Sequence, residues 1–184
     1  MVPEAQLEPT EHGIVAKGDG WYVLNARDAR WYHVEGRGAH CDFEGDADFS
    51  QLGINIMVLQ PREAMAMYHW EADQEDFLVV SGEALLIIEG EERPLKAWDF
   101  VHCPIGAKHT IVGAGDGPCV VVAVGARIDS VDNPNWGGYT VDEVALRHEA
   151  GVEEETNDPE VAYAAAREKH GLRAPKPYRD GWLP

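Results

Sequence analysis

Long apolar runs, paired cysteines and basic residues are what this chain has least of, and each scarcity removes a class of protein. No apolar stretch approaches the ~20 residues of a membrane-spanning helix, so no membrane association is expected. Cysteine occurs only at Cys41, Cys103 and Cys119, an odd number without CxxC spacing. That pattern argues against a disulfide framework and fits a reducing, cytoplasmic setting. Basic residues number 15 against 33 acidic ones, a formal net charge of −18. Nucleic acid is therefore not an expected partner, because its phosphates demand a basic surface. The acidic excess reads as a solvated, solubilising surface. The opening Met1-Val2-Pro3-Glu4-Ala5-Gln6 lacks both a basic and an apolar segment, and no signal peptide is expected. Helix-period segments are missing too between residues 52 and 125, which excludes parallel βαβ architecture there.

What remains is a chain of 184 residues, 45% hydrophobic, with 19 glycines and 11 prolines. That length suits one domain with elaborations, large enough to bury a core without staples. Residues 1–20 show no sustained period and predict an irregular N-terminal arm. Short strands are expected at Trp21–Asn25, Trp31–Val34, Leu52–Gln60, Ala64–Glu71, Phe77–Val80, Glu83–Glu89, Phe100–Cys103, Thr110–Val112 and Cys119–Val124. Glycine or proline punctuates them, and Gly115-Asp116-Gly117 reads as a hairpin turn. Close spacing of this kind predicts an all-β antiparallel sandwich or barrel.

Composition shifts after Arg127. Asp129–Gly138 reads as a loop, and residues 129–184 as a C-terminal extension with one or two short helices. Thr140 and Glu143 have capping-box spacing, which predicts a helix from Val141 to about His148. Asp158 as N-cap, Pro159 in the first turn and Gly171 as a stop frame a second, alanine-rich helix. The last residues are expected to lie over the barrel or a neighbouring subunit, with Trp182 as the anchor.

The chemistry concentrates between His69 and His109. His69, Glu71, Glu75 and His109 are all metal-ligand types. His69 and Glu71, two apart, share one face of a strand. Two inward carboxylates repel each other and resist burial, and a divalent cation answers both costs. With Glu71 left out, the remaining two histidines and one carboxylate are the set used by non-haem iron oxygenases. His40, Cys41 and Glu44 also cluster, but His40 and Cys41 face opposite sides of a strand, so no metal site is expected there. His102 and Cys103 likewise alternate, so only one of them can look inward. His102 is the candidate catalytic base or ligand-supporting group.

Two segments carry a family resemblance. Glu63, five residues, His69-Trp70-Glu71, three residues, Glu75, six residues and Gly82 follow the spacing G-x5-H-x-H-x3,4-E-x6-G. Trp98, five residues, Pro104-Ile105-Gly106, two residues, His109, three residues and Gly113 follow G-x5-P-x-G-x2-H-x3-N. These are the paired motifs of the cupin superfamily, which the chain resembles over residues 50–126. Glu63 and Trp98 stand for turn glycines, Gly113 for the closing asparagine, and Glu71 for the second histidine. The resemblance implies a jelly-roll (cupin) β-barrel over residues 21–128. It also implies one divalent metal ion (Zn, Fe, Mn or Ni) at His69, Glu71, Glu75 and His109. A homodimer and a small-molecule ligand or substrate are further expectations. The function expected is a mononuclear metalloenzyme of dioxygenase, isomerase or lyase type. The alternative is a non-catalytic small-ligand-binding barrel.

Overall fold

A computed structural model describes residues 1–128 and 133–184. The first strands are β1 (Gln6–Thr10), β2 (Gly13–Lys17), β3 (Trp31–Val34), β4 (Arg37–Asp42) and β5 (Leu52–Leu59). Next come β6 (His69–Glu71), β7 (Glu75–Ser81), β8 (Glu83–Ile88), β9 (Glu91–Lys96) and β10 (Phe100–Cys103). The run ends with β11 (His109–Ala114), β12 (Cys119–Ala126) and β13 (Gly137–Tyr139). Three short helices follow: α1 (Glu143–Arg147), α2 (Pro159–Ala162) and α3 (Ala164–His170). A last strand, β14 (Ala174–Lys176), returns to β3.

The strands form two main sheets. One has the order β10-β7-β12-β5-β4-β3-β14 and the other β13-β6-β11-β8-β9, and all their pairings are antiparallel. The all-β antiparallel class is as expected, but among the described residues no hydrogen-bonded ring closes into a barrel. The sheets face each other because the chain changes sheet at its turns. Gly115-Asp116-Gly117 illustrates this. It joins β11 of one sheet to β12 of the other, so it is an arch and not the expected hairpin.

Alternation along the strands builds the core. Met57 and Leu59 of β5 face inward and meet Phe77, Val79, Leu86, Ile111 and Val121. Val58 of the same strand faces the opposite way and packs with Trp31, Cys41, Val120 and Trp182. Trp182 lies 5.0 Å from Trp31, ring to ring, so the C-terminal segment covers the outer face of the larger sheet. On the smaller sheet, Ile87 and Val112 face outward against Ala145 of α1 and Ala150 beyond its end. Each layer therefore buries apolar surface on both faces, contributing roughly 25 cal/mol per Å² removed from water.

Several local expectations are corrected. The arm of residues 1–20 contains the β1–β2 hairpin, which pairs Gln6 with Lys17 through Thr10 with Gly13. Its mostly polar, exposed residues leave no hydrophobic alternation to read. Trp21–Asn25 is not a strand; Trp21 makes only a bridge to Glu4. Strand β6 starts at His69, and residues 64–68 run irregularly apart from a bridge between Ala64 and Val112. The capping box at Thr140 is unused: Asp142 caps α1, accepting a hydrogen bond from the Ala145 N–H at 2.8 Å. Thr140 is buried beside β13 instead. Asp158 does cap α2, accepting from the Glu160 N–H at 2.8 Å, and Gly171 ends α3 at φ 85°. Part of the loop expected at 129–138, residues 129–132, lies outside the described residues. No helix among the described residues is long and apolar enough to cross a membrane.

Candidate metal centre

Strand register makes the centre. His69 of β6 and His109 of β11 are direct cross-strand partners, which brings their rings to 5.0 Å between centroids. Glu75 opens β7 in the facing sheet and reaches across the core. Its Oε2 lies 3.2 Å from His109 Nε2 and 3.6 Å from His69 Nε2. Three ligand atoms, one each from His69, Glu75 and His109, lie within 4.8 Å of one another and can hold a metal ion. Glu71, the fourth expected ligand, falls outside this group. It shares the His69 face of β6, with its Oε1 3.7 Å from His69 Nε2.

Both imidazoles are aimed from behind. His69 Nδ1 is 2.7 Å from the Met67 carbonyl oxygen, and His109 Nδ1 is 3.0 Å from that of Ala107. With Nδ1–H donating to these carbonyls, each Nε2 presents its lone pair to the centre. This is the arrangement that orients metal-bound histidines. His109 Nε2 and Glu75 Oε2 are closed to solvent and make no hydrogen bond. Orphaned buried polar atoms are costly, about 1–3 kcal/mol each. The donor set and its two orphaned atoms therefore fit a divalent cation.

The electrostatics lead the same way. Burial opposes a charge on His69, but the carboxylates of Glu71 and Glu75 outweigh it and raise its pKa to about 10. Burial also opposes a charge on His109. The neighbouring Cys103 thiol and Glu75 outweigh it, and the pKa rises to about 9 despite the charge on His69. For Glu75, burial opposes ionisation, yet the two imidazoles hold its pKa down at about 2. Without a metal, protons on the imidazoles balance the carboxylates; a divalent cation replaces them.

His102 is not part of the centre. It lies on the outer face of β10, with Nδ1 2.7 Å from Asp76 Oδ1, and its side chain is 52% exposed. Alternation gives the inward position to Cys103, opposite Glu75 in the β10–β7 register. This corrects the role expected for His102. Tyr139 of β13 also went unforeseen: its ring lies 5.9 Å from that of His69. The alternation of His102 and Cys103 was visible in the sequence, but it did not say which of them turns inward. Nothing local marks Tyr139, which sits in the segment read as an extension. His40, Cys41 and Glu44 form no metal site: Cys41 is buried in the core, His40 stacks on Tyr32, and Glu44 pairs with Arg127.

Comparison with known proteins agrees with this geometry. A family model described as "Cupin domain" matches residues 55–125. A sugar phosphate isomerase from Silicibacter pomeroyi is 28% identical, over 56% of this chain and 63% of that one, at a TM-score of 0.44. The chain thus spans under two thirds of that protein's length. A protein from Thermotoga maritima described as a predicted oxalate decarboxylase is 17% identical, over 57% of this chain and 98% of that one, at a TM-score of 0.51. The polyketide cyclase RemF from Streptomyces resistomycificus is 13% identical, over 58% and 80%, also at 0.51. At these identities the last two show the fold alone. No curated protein sequence matches the chain. Residues 55–125, which carry the His/Glu centre, match the cupin domain, and this stretch of the chain is a cupin domain.

Proposed function

We propose that this protein is a mononuclear metal-dependent enzyme acting on a small polar metabolite by isomerase- or lyase-type proton transfer. One observation carries the reading: His109 Nε2 and Glu75 Oε2 face each other, buried and unbonded, beside His69 Nε2. Two imidazoles and one carboxylate suit Zn, Fe, Mn or Ni. A divalent ion held by His69, Glu75 and His109 would supply Lewis acidity toward a substrate oxygen. The protein's residues do the rest. The Met67 and Ala107 carbonyls fix the two imidazoles, and Glu75 offsets cationic charge. Glu71 stands beside His69 with 23% of its side chain exposed, placed to take a proton from a bound molecule and return it.

A non-catalytic ligand-binding barrel is the second reading. The closure of His109 Nε2 and Glu75 Oε2 to solvent favours it, since a substrate must reach a catalytic metal.

The test is solvent-deuterium exchange into a panel of small hydroxy-carbonyl compounds, with protein reconstituted with each of the four metals. The reading requires exchange at one carbon by the wild type. Glu71→Gln should lose that exchange while keeping its metal. Oxygen consumption without exchange would replace the reading with a dioxygenase, and inertness in both assays would leave the binding barrel. The homodimer is likewise proposed; light scattering at tens of micromolar checks it, about the range of weak association.

A further inference from the structure

Away from the metal centre, two arginines and a histidine come together where the C-terminal extension returns to β3, beside β4. Arg37 and His40 come from β4, and Arg173 directly precedes β14. Among the described residues none of the three forms an ion pair with a carboxylate. Glu63 acts on Arg173 only at a distance, and Arg37 instead lies 4.9 Å over the ring of Tyr163. The chain has 33 acidic residues against 15 basic ones, so unpaired basic groups are not forced by composition. Two nitrogens of the cluster, His40 Nδ1 and Arg173 Nε, are buried with no hydrogen-bond partner. Among the described residues, the one hydrogen bond from the Arg173 side chain runs from Nη2 to the Met65 carbonyl, at 3.4 Å.

This cluster is costly as it stands. Burial first, and then the charges of Arg173 and Arg37, push the His40 pKa down to about 4. Burial and Arg37 push that of Arg173 down to about 10. An anion between the three would reverse both effects and satisfy both nitrogens. Guanidinium forks match phosphate and carboxylate oxygens in geometry. Two guanidiniums balance a phosphomonoester, with about 1.5–2 negative charges, better than a single carboxylate.

Space for the rest of such a molecule adjoins the cluster. A cavity of about 520 Å³ lies beneath α2 and α3, with Arg37, Tyr163, Met67, Val152 and Ala162 among its walls; of the three cluster residues Arg37 alone lines it, and Glu149, Glu153 and Glu154 line it too. Met67, Val152 and Ala162 are buried apolar residues, suited to an organic body rather than a bare ion. Tyr163 Oη accepts a hydrogen bond from the Met67 N–H at 3.1 Å, and the Met67 carbonyl orients His69. The cavity therefore backs onto a metal ligand without containing one.

We propose that Arg37, His40 and Arg173 bind the phosphate group of a small phosphomonoester whose organic part occupies the adjoining cavity. The site is independent of the activity assigned to the metal centre.

The test is calorimetric titration of the full chain in phosphate-free buffer, with inorganic phosphate and with glycerol 3-phosphate. Saturable binding is expected for both probes, tighter for glycerol 3-phosphate. Arg37→Gln and Arg173→Gln should each weaken it at least about tenfold, the loss of one charge-assisted hydrogen bond. Arg93→Gln, an exposed control on β9, should leave it unchanged. A second readout separates binding from structural support. With no anion present, Arg173→Met should raise the unfolding midpoint, because it removes a buried, unpaired charge. The proposal is overturned by the absence of saturable binding up to about 10 mM of either probe, well above millimolar affinity. Equal weakening in Arg93→Gln would overturn it as general charge attraction. Loss of a dimer in Arg173→Gln without any phosphate effect would overturn it in favour of contact between two copies. A lower midpoint for Arg173→Met would make Arg173 a structural residue and overturn its role.

Discussion

His109 Nε2 and Glu75 Oε2 lie 3.2 Å apart, both closed to solvent and neither in a hydrogen bond. They come from opposite sheets, so the two layers meet at a charge demand that, without a metal, only imidazole protons answer. A bound divalent cation meets it and stabilises only the folded state. At a hundredfold excess over Kd this adds about 2.7 kcal/mol. For a chain of this length the melting temperature should rise by about 5–10 °C on adding the preferred metal. Scanning calorimetry with and without chelator checks this; no shift with any of Zn, Fe, Mn or Ni would contradict it.

Acid should weaken the fold through His40. Its ring stacks on Tyr32, with centroids 5.0 Å apart, and its folded pKa is held at about 4, against 6.5 for the ordinary value. The unfolded chain thus binds a proton at His40 that the folded chain refuses. The stability from neutral His40 is complete above about pH 6.5 and is lost as pH falls towards 4. The loss reaches up to about 3 kcal/mol at 1.36 kcal/mol per unit. Other groups titrate in this window, so the comparison is with His40→Gln. Urea midpoints in phosphate-free buffer should fall more between pH 7 and 5 in the wild type than in that variant.

Gly113 stands where the family motif has asparagine, and here the exchange cannot be reversed. A Cβ on Gly113 would lie 2.2 Å from the Gln60 carbonyl oxygen. The loop before it is pinned to the same residue: Arg62 N–H donates to the Gly113 carbonyl at 2.8 Å, and Gly113 N–H to that of Glu63 at 2.9 Å. Gly113→Asn should therefore destabilise the protein by about 2 kcal/mol or more, measured by urea unfolding. Trp98 is the opposite case. It occupies a turn-glycine position at φ 76° and is 73% exposed, so Trp98→Gly should be tolerated.

Trp182 holds the C-terminal segment over the larger sheet. It is 6% exposed and packs on Trp31, which is fully buried. Trp182→Ala should cost about 3–5 kcal/mol. It should also expose Trp31, seen as a red shift in its emission; an unchanged spectrum and midpoint would contradict the covering role.

The centre was more legible in the sequence than the fold around it. His69, Glu75 and His109 were readable because ligand types recurred at motif spacing, and β-strand alternation put Glu71 on the His69 face. The strands around Leu52–Leu59 and Cys119–Ala126 were readable from apolar runs ended by proline or glycine. The hairpin at residues 6–17 was not, because its exposed residues leave no period. The arch at Gly115–Gly117 was misread because a tight glycine turn looks the same whether its strands pair or part. Arg37, His40 and Arg173 could not be grouped, since more than a hundred residues separate the last from the first two and the β14–β3 and β3–β4 pairings are what bring them near.

The most direct measurement is metal content by mass spectrometry on untagged protein, for wild type and for His69→Ala, Glu75→Ala, His109→Ala and Glu71→Ala. About one metal per chain is expected in the wild type, as one mononuclear centre requires. That metal should be lost in the first three variants and retained in Glu71→Ala, whose carboxylate stands outside the three-residue group. A wild type that stays empty after reconstitution with Zn, Fe, Mn and Ni would contradict this, as would a metal that survives removal of either histidine.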